Sequence, residues 1–183
     1  RQAEDALRES EEKYRTLFET MTQGVVYQDS DGKVISANPS AEKLLGLSLD
    51  QLKGRTSLDI RWKTVREDGS DFPGEAHPAM EALRTGAKIN NVTMGVFNPV
   101  EKRRSWLNIN AVPQFREGEN RPYQVYTTFH DITDRKRAEK SLIESETRYR
   151  SLVELSPEAV FVHQKGFIKY INRRGAEIFG ATD

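Results

Sequence analysis

The sequence contains no cysteine, and this absence excludes several kinds of chemistry. Without thiols the chain forms no disulfide, no thiolate metal site, no cysteine nucleophile and no thiol link to a chromophore. Long apolar runs are also missing: no stretch approaches the ~20 residues that a membrane-spanning helix needs, and no signal peptide opens the chain. We therefore expect a soluble, cytoplasmic segment without a membrane span.

An excess of charge of one sign is absent as well. Lys and Arg together number 28, as do Asp and Glu, so the formal net charge at pH 7 is +0. Binding to nucleic acid through counterion release needs a basic surface. The composition therefore predicts no nucleic-acid partner.

A repeated helix is the most prominent feature that the sequence does contain. Its less polar residues are separated alternately by four and three positions, a heptad spacing that predicts pairing with a second helix. This seam comprises Ala3, Leu7, Ser10, Tyr14 and Leu17, and it recurs as Ala138, Leu142, Ser145, Tyr149 and Leu152. We predict a parallel homodimer with Ala3, Leu7, Tyr14, Leu17, Leu142, Tyr149 and Leu152 at its seams. The alternative is a solvated surface helix with one packed face.

The repeat extends beyond the helix, because Gly32, Asn38 and Gly46 reappear as Gly166, Asn172 and Gly180. Four segments are predicted: an N-terminal helix over 1–20, a domain over 21–133, a linker helix over 134–156 and the truncated start of a second domain over 157–183. We therefore expect the chain to be an excerpt from a longer tandem array.

Alternation and turn residues predict the elements of the first copy. Asn38-Pro39 begins a helix that Gly46 ends, since asparagine caps amides, proline tolerates the first helical position and glycine adopts left-handed backbone. Strands are predicted at 24–29, 33–37, 91–98, 104–115 and 123–132, and further helices at 48–52 and 77–86.

Two sets of motifs together resemble a PAS domain. The first is a strand, an aspartate, a glycine turn, a strand, an Asn-Pro helix and the sequence Ala-Glu-Lys-Leu-Leu-Gly at 41–46; the second is Asp-Ile-Thr-Asp-Arg-Lys-Arg-Ala-Glu at 131–139, which resembles the exit from that fold. The resemblance implies an α+β fold with a five-stranded antiparallel sheet, flanking short helices, an N-terminal helix and a long C-terminal linker helix. One departure is the charged hairpin at 65–73, which precedes the helix at 77–86 where many PAS domains place it afterwards.

The resemblance also implies a function in signalling. PAS domains sense a small ligand or redox state and relay the signal in multidomain proteins, most often sensor histidine kinases of two-component systems. The implied partners are further PAS and output domains of the same chain. Two alternatives are a ligand-free dimerisation and spacing module and the input domain of a diguanylate cyclase.

Inward-facing residues of the strands and of the 77–86 helix outline a candidate ligand pocket. They are Val26, Gln28, Met80, Leu83, Val92, Met94, Leu107, Ile109, Thr127 and Phe129. The alternative is that these side chains only pack against one another.

No cofactor, metal site or catalytic group is predicted, because none of the three histidines has a partner at ligand or nucleophile spacing. His77 is the one candidate haem ligand, against the alternative of a polar helix-terminal residue before Pro78. A redox-active flavin would draw on Trp62, Gln28 and Asn110, although the two faces of a sheet cannot line one pocket. The cysteine adduct of light-sensing PAS domains is excluded.

The junction between the last strand and the linker helix is the predicted relay. Asp131 and Thr133 end the strand and begin the helix, with Thr133 or Asp134 expected as its N-cap. We predict that distortion of the sheet reaches the linker helix through this junction.

Overall fold

The structure is a computed structural model that describes residues 2–59 and 62–180. It divides into two compact units, with the division between Thr133 and Asp134. None of the helices in the described residues combines the length and apolar character needed to cross a bilayer.

The first unit is built on a five-stranded antiparallel sheet, which confirms the predicted fold. Its strands are β1 (Gly24–Asp29), β2 (Val34–Ala37), β3 (Ile89–Asn98), β4 (Arg103–Gln114) and β5 (Gln124–Asp131), in the spatial order β2-β1-β5-β4-β3. The last strand in sequence therefore lies at the centre of the sheet, paired with both β1 and β4.

In the described part of the chain, four α-helices accompany this sheet: α1 (Gln2–Thr20), α2 (Pro39–Leu45), α3 (Leu49–Leu52) and α4 (Pro78–Thr85). A 3-10 turn at Gly74–Ala76 precedes α4. Helix α2 begins and ends as predicted: the Asn38 side chain accepts a hydrogen bond from the Ala41 amide, and Gly46 closes the helix in left-handed backbone at φ 67°. Ser48 and Gln51 form a capping box at the start of α3. These local signals explain why such short helices form.

The hydrophobic core lies between the sheet and helices α2, α3 and α4. One cluster packs Ala41, Leu45 and Leu52 of the helices against strand residues such as Leu107 and Ile109. A smaller one packs α4 against β4 and β5. Each fully buried leucine or isoleucine contributes about 1.5–3 kcal/mol relative to exposure, so these clusters fix the helices over the sheet.

The charged hairpin predicted at 65–73 is attached to the edge of β3. The Val65 amide and carbonyl each bond to Gly95 of β3 at 2.9 Å, and Val65 also bridges to Asp71 across the turn at Gly69. This attachment brings Thr64 and Phe72 close to the start of α4.

The second unit repeats the beginning of the first. Its first helix is α5 (Thr133–Glu154), which begins at the last residue of the first unit, and β6 (Phe161–Gln164), β7 (Phe167–Ile171) and α6 (Arg173–Phe179) follow. Strands β6 and β7 pair in the register of β1 and β2, with the irregularity at the equivalent position: after Tyr27 in β1 and after Val162 in β6. The repeat seen in the sequence is therefore a repeat of structure.

Candidate ligand cavity and helix junction

A cavity of about 90 Å³ lies inside the first unit, between the sheet and the helices. Sheet residues form one side, and α2, α3, the beginning of α4 and the segment preceding it form the other. The lining consists of Val26, Gln28, Val34, Leu45, Leu52, Ser57, Trp62, Thr64, His77, Pro78, Ala79, Met94, Val96, Leu107, Ile109, Thr127 and Phe129. It is apolar except for a few polar groups, as small-molecule sites commonly are.

The cavity brings together seven of the ten residues predicted to form a pocket: Val26, Gln28, Met94, Leu107, Ile109, Thr127 and Phe129. The other three, Met80, Leu83 and Val92, do not line it. Met80 packs against the turn at Gly32, and Leu83 packs into the smaller core cluster. Val92 is half-buried where the pairing of β3 with β4 is irregular. Their placement depends on the rotation of α4 and on this irregularity, which simple alternation does not reveal.

The remaining lining residues were not among the predicted pocket set. The sequence did indicate that Leu45 and Leu52 would face the interior, since they lie on the apolar edges of two predicted helices. No sequence pattern indicated that Ser57 and Thr64 would line the cavity. The segment between α3 and α4 has no periodic pattern, and its position depends on contacts with distant residues. Trp62, named for a flavin, does line the cavity, and its indole N–H donates to the Thr56 carbonyl at 2.8 Å.

The polar groups on the floor of the cavity come from β1 and β5. The Gln28 side-chain amide donates to the Gly32 carbonyl at 2.7 Å and to Ser57 Oγ at 3.4 Å. Thr127 is only 8% exposed, and its hydroxyl has no hydrogen-bond partner among the described residues. Because buried polar groups are nearly always hydrogen-bonded, the Thr127 hydroxyl is the exception in this core.

His77 occupies the N-cap position of α4, yet its side chain does not cap the helix. The ring is buried, with Nε2 at 2.9 Å from Thr64 Oγ1 and 3.2 Å from the Phe72 carbonyl. The Thr64 hydroxyl donates its single proton to the Phe72 carbonyl. Thr64 Oγ1 and the Phe72 carbonyl oxygen therefore both act as acceptors towards His77. The imidazole proton accordingly lies on Nε2. Burial lowers the pKa of His77, opposed by the bond to the Phe72 carbonyl. The histidine is therefore neutral in the folded protein near pH 7.

The cavity does not fit haem or flavin. Its volume of about 90 Å³ is far below the ~300–1,000 Å³ typical of sites for drug-sized ligands, and His77 Nε2 is already bonded within the protein. Asn110 is adjacent in β4 to the cavity residue Ile109 and so faces the opposite side of the sheet, where it accepts from the Asn91 amide. Among the described residues, no three His, Asp or Glu side chains are grouped to hold a metal ion.

The junction between β5 and α5 is tied to the neighbouring strand β4. Thr133 Oγ1 accepts a hydrogen bond from the Trp106 amide at 2.9 Å, and the Ile132 amide donates to the Trp106 carbonyl at 2.8 Å. The Asp131 carboxylate accepts from the Thr133 amide at 2.7 Å. The predicted N-cap at Thr133 or Asp134 is thus corrected: Thr133 is the first helical residue, and its hydroxyl bonds to β4. That longer-range bond decides the orientation of its side chain.

This junction is adjacent to the cavity. Trp106 holds Thr133, and the next residue, Leu107, lines the cavity and lies opposite Asp131 in the β4–β5 pairing. Phe129 lines the cavity two residues before Asp131 on the same strand. Two strands therefore connect cavity side chains with the start of α5: β5 along the chain and β4 through the hydrogen bond from Trp106 to Thr133.

The residues of the predicted dimer seams are exposed. Helix α1 buries no residue, and Leu7 and its repeat equivalent Leu142 are both 61% exposed. Ala3, Leu17, Tyr149 and Leu152 are also exposed. Tyr14 is exposed too, although its ring stacks on Phe18 and its hydroxyl donates to the Tyr27 hydroxyl at 3.2 Å. The apolar side chains of both seams are therefore largely exposed to solvent. Tyr14 differs from the others in contacting Tyr27 of β1.

Both copies of the sequence repeat match known protein families. A family described as "PAS fold" matches residues 18–137. A second, described as "PAS domain", matches residues 147–183. The two matches contain no catalytic domain.

Relatives with known roles are longer than this chain. The sensor protein TdiS of Thauera aromatica is 26% identical over 138 residues, which make up 72% of this chain and 23% of TdiS. Sporulation kinase E of Bacillus subtilis is 44% identical over 57 residues, or 31% of this chain and 8% of the kinase. Among solved structures, a sensory box histidine kinase/response regulator from Burkholderia thailandensis aligns with a TM-score of 0.53 at 18% identity, covering 76% of this chain and 99% of that one.

Proposed function

Because the chain belongs to the PAS family, we propose that its first unit is a sensory and signal-relay module of a cytoplasmic sensor histidine kinase. In this proposal a small ligand, or a change of redox state, acts at the cavity, and α5 carries the response to further PAS and output domains. The similarity to the sensor TdiS and to sporulation kinase E supports this assignment. Identifying the output domain separates it from the alternative, the input domain of a diguanylate cyclase.

The observation that carries the proposal is the bond between Trp106 and Thr133 beside the cavity. A ligand that displaces Leu107 moves the adjoining Trp106 amide, and this amide is bonded to the first residue of α5. A ligand shifts a conformational equilibrium only by its difference in affinity for the two states. The hydrogen bond from Trp106 to Thr133 contributes about 1 kcal/mol. Its loss would be enough to shift the first turn of α5 or to increase its fraying.

The test uses the full-length parent protein and measures its signal output with and without stimulus. Thr133→Val removes the hydroxyl that accepts from Trp106, and Asp131→Ala removes the carboxylate that accepts from Thr133. Both variants are expected to bind stimulus normally and to lose most of the difference in output. Thr128→Val, on β5, and Asp134→Asn, in the first turn of α5, are matched controls that keep the response.

An unchanged response in both junction variants would refute the relay. Loss of response in the controls as well would show that any disturbance of this region stops signalling, and would also count against a specific role for Asp131 and Thr133. Folding of each variant is followed by tryptophan fluorescence, because Trp106 lies at the junction.

Dimerisation through the seams is the second part of the proposal. The exposed residues recur at the same positions in two helices, which favours one kind of partner, a second copy of the same helix. We therefore assign the seam role to Ala3, Leu7, Tyr14, Leu17, Leu142, Tyr149 and Leu152.

A ligand-free spacing module is the competing function, and the small volume of the cavity favours it. Native mass spectrometry of freshly purified protein distinguishes the two. A dimer with added mass supports the sensor, whereas a dimer without added mass under every growth condition supports the spacer.

A further inference from the structure

We propose that the cavity selects an uncharged, mainly apolar molecule of about four non-hydrogen atoms that carries one hydroxyl or carbonyl group. The inference rests on the proposed sensory function and adds the chemical class of its ligand. Three properties of the lining carry it: the absence of charge, the volume and one unpartnered hydroxyl.

Charge is absent from the lining. No Asp, Glu, Lys or Arg is found among the lining residues in the described part of the chain, and the one titratable ring, His77, has its Nε2 proton directed to Thr64 and Phe72. An ionised ligand would lose its hydration and gain no opposite charge, which is strongly unfavourable. The site therefore discriminates against carboxylates and ammonium ions.

Volume sets the size of the ligand. A dry cavity of ~150 Å³ binds benzene, which has six non-hydrogen atoms. The volume here is about 90 Å³, so by the same ratio about four atoms fit without movement of the walls. Ligands of this size bind weakly, with dissociation constants on the order of millimolar.

The Thr127 hydroxyl supplies the polar contact. It lies in β5 between Val26 of β1 and Ala111 of β4, two apolar neighbours that offer it no side-chain partner. Gln28 already uses its side-chain amide protons on Gly32 and Ser57. Rotation of χ1 to another staggered position moves the hydroxyl to the place now held by the methyl group or by the Cβ hydrogen, so Thr127 is able to present a donor or an acceptor to the cavity. A ligand with one hydroxyl or carbonyl group would satisfy it.

The experiment records methyl NMR spectra of the 183-residue chain during titration with small probes. Isopropanol, acetone, acetate and isopropylammonium each have four non-hydrogen atoms and differ in charge; xenon reports whether the cavity is accessible. Isopropanol, acetone and xenon are expected to shift the methyl signals of Met94, Leu107 and Ile109 saturably. Acetate and isopropylammonium are expected to bind at least tenfold more weakly. The Leu142 methyls, on α5, are the internal control.

The matched variants are Thr127→Val, which keeps the shape and removes the hydroxyl, and Thr128→Val on the other face of β5. Thr127→Val is expected to weaken isopropanol and acetone at least fivefold and leave xenon unchanged, whereas Thr128→Val changes none of them. Equal binding of acetate and acetone would overturn the proposed class. So would unchanged isopropanol binding in Thr127→Val, or a failure of every probe, xenon included, to shift the cavity methyls.

These outcomes are separable from those of the sensory proposal. The relay is judged by the output of the parent protein with substitutions at Asp131 and Thr133, which do not line the cavity. A charged ligand bound in the cavity would overturn the class proposed here and leave the relay standing.

Discussion

Asn38 and Asn172 make the same four side-chain hydrogen bonds, one set in each unit of the chain. In both cases Oδ1 accepts from an amide at the start of a strand and from one in the first turn of a helix, while Nδ2 donates to two carbonyls on the preceding segment. The partners of Asn38 are Val25, Ala41, Phe18 and Gln23, at 2.8–3.0 Å. Those of Asn172 are Val160, Gly175, Val153 and Glu158, at 2.8–2.9 Å.

Replacing either asparagine tests how far each unit depends on these bonds. Asn38→Ala leaves several buried backbone groups unpaired, at roughly 1–3 kcal/mol each, so the first unit should lose about 3 kcal/mol or more of stability. Both tryptophans, Trp62 and Trp106, lie in this unit. Urea unfolding followed by their fluorescence therefore measures it alone.

The matched variant is Asn172→Ala. It should leave the fluorescence-detected midpoint unchanged and speed proteolysis of the second unit. An equal loss of the fluorescence-detected stability in both variants would show that the two units unfold together, contrary to this expectation.

Thr133→Val tests the junction directly. Removing its hydroxyl leaves the Trp106 amide without its acceptor, and we expect a loss of about 1 kcal/mol with faster hydrogen exchange at that amide. Thr128→Val serves as the control. Unchanged exchange at Trp106 would mean that the bond to Thr133 is not maintained in solution.

His77 should make the first unit less stable in mild acid. Burial lowers its pKa below the ordinary value of 6.5. Below pH 6.5 the His77 ring therefore binds a proton in the unfolded chain more readily than in the folded chain. Stability is then complete above pH 6.5 and declines as the pH falls towards the lowered pKa, with a slope of at most about 1.4 kcal/mol per pH unit. In His77→Gln this part of the slope should vanish. Urea midpoints between pH 7 and pH 5 measure it.

His130→Gln, on β5 and outside the cavity lining, is the matched control, and its slope is compared with that of His77→Gln. If the slope were the same in His77→Gln as in the unsubstituted protein, other groups would have to account for the acid sensitivity.

Charges placed in the α1 seam should prevent self-association. Leu7→Glu combined with Leu17→Glu puts carboxylates where two apolar faces would meet, so we expect a shift from dimer to monomer in light scattering. Arg8→Ala with Glu12→Ala is the control, because this exposed pair, 3.8 Å apart, lies away from the seam. A dimer that persists in the seam variant would place the interface elsewhere.

Local features of the fold were predictable because the residues that cause them are close in sequence. Asn38 and Gly46 mark the two ends of their helix and form hydrogen bonds to near neighbours. Strand alternation placed Leu107 and Ile109 on the face that lines the cavity. The repeat was readable for the same reason, since its residues recur at nearly constant spacing.

Features that depend on distant contacts were not predictable. Thr133 or Asp134 was expected to cap the linker helix, but the Thr133 hydroxyl bonds to Trp106, 27 positions away. His77 was interpreted as a helix-terminal residue, but Thr64 and Phe72 hold its ring in the cavity wall. In both cases the sequence identified a polar residue at a helix start and gave no information about which strand or segment would lie beside it.

The short reach of the asparagine bonds bears on how a tandem chain is synthesised. The bonds of Asn38 and Asn172 span at most 20 residues, whereas β1 pairs with a strand about a hundred positions later. We expect the opening of each module to take shape on the ribosome before its closing strand has emerged. Early local folding of this kind limits mispairing between neighbouring modules. Protection of the Val160 amide from hydrogen exchange in a fragment covering 134–180 would support this order, and full exchange there would contradict it.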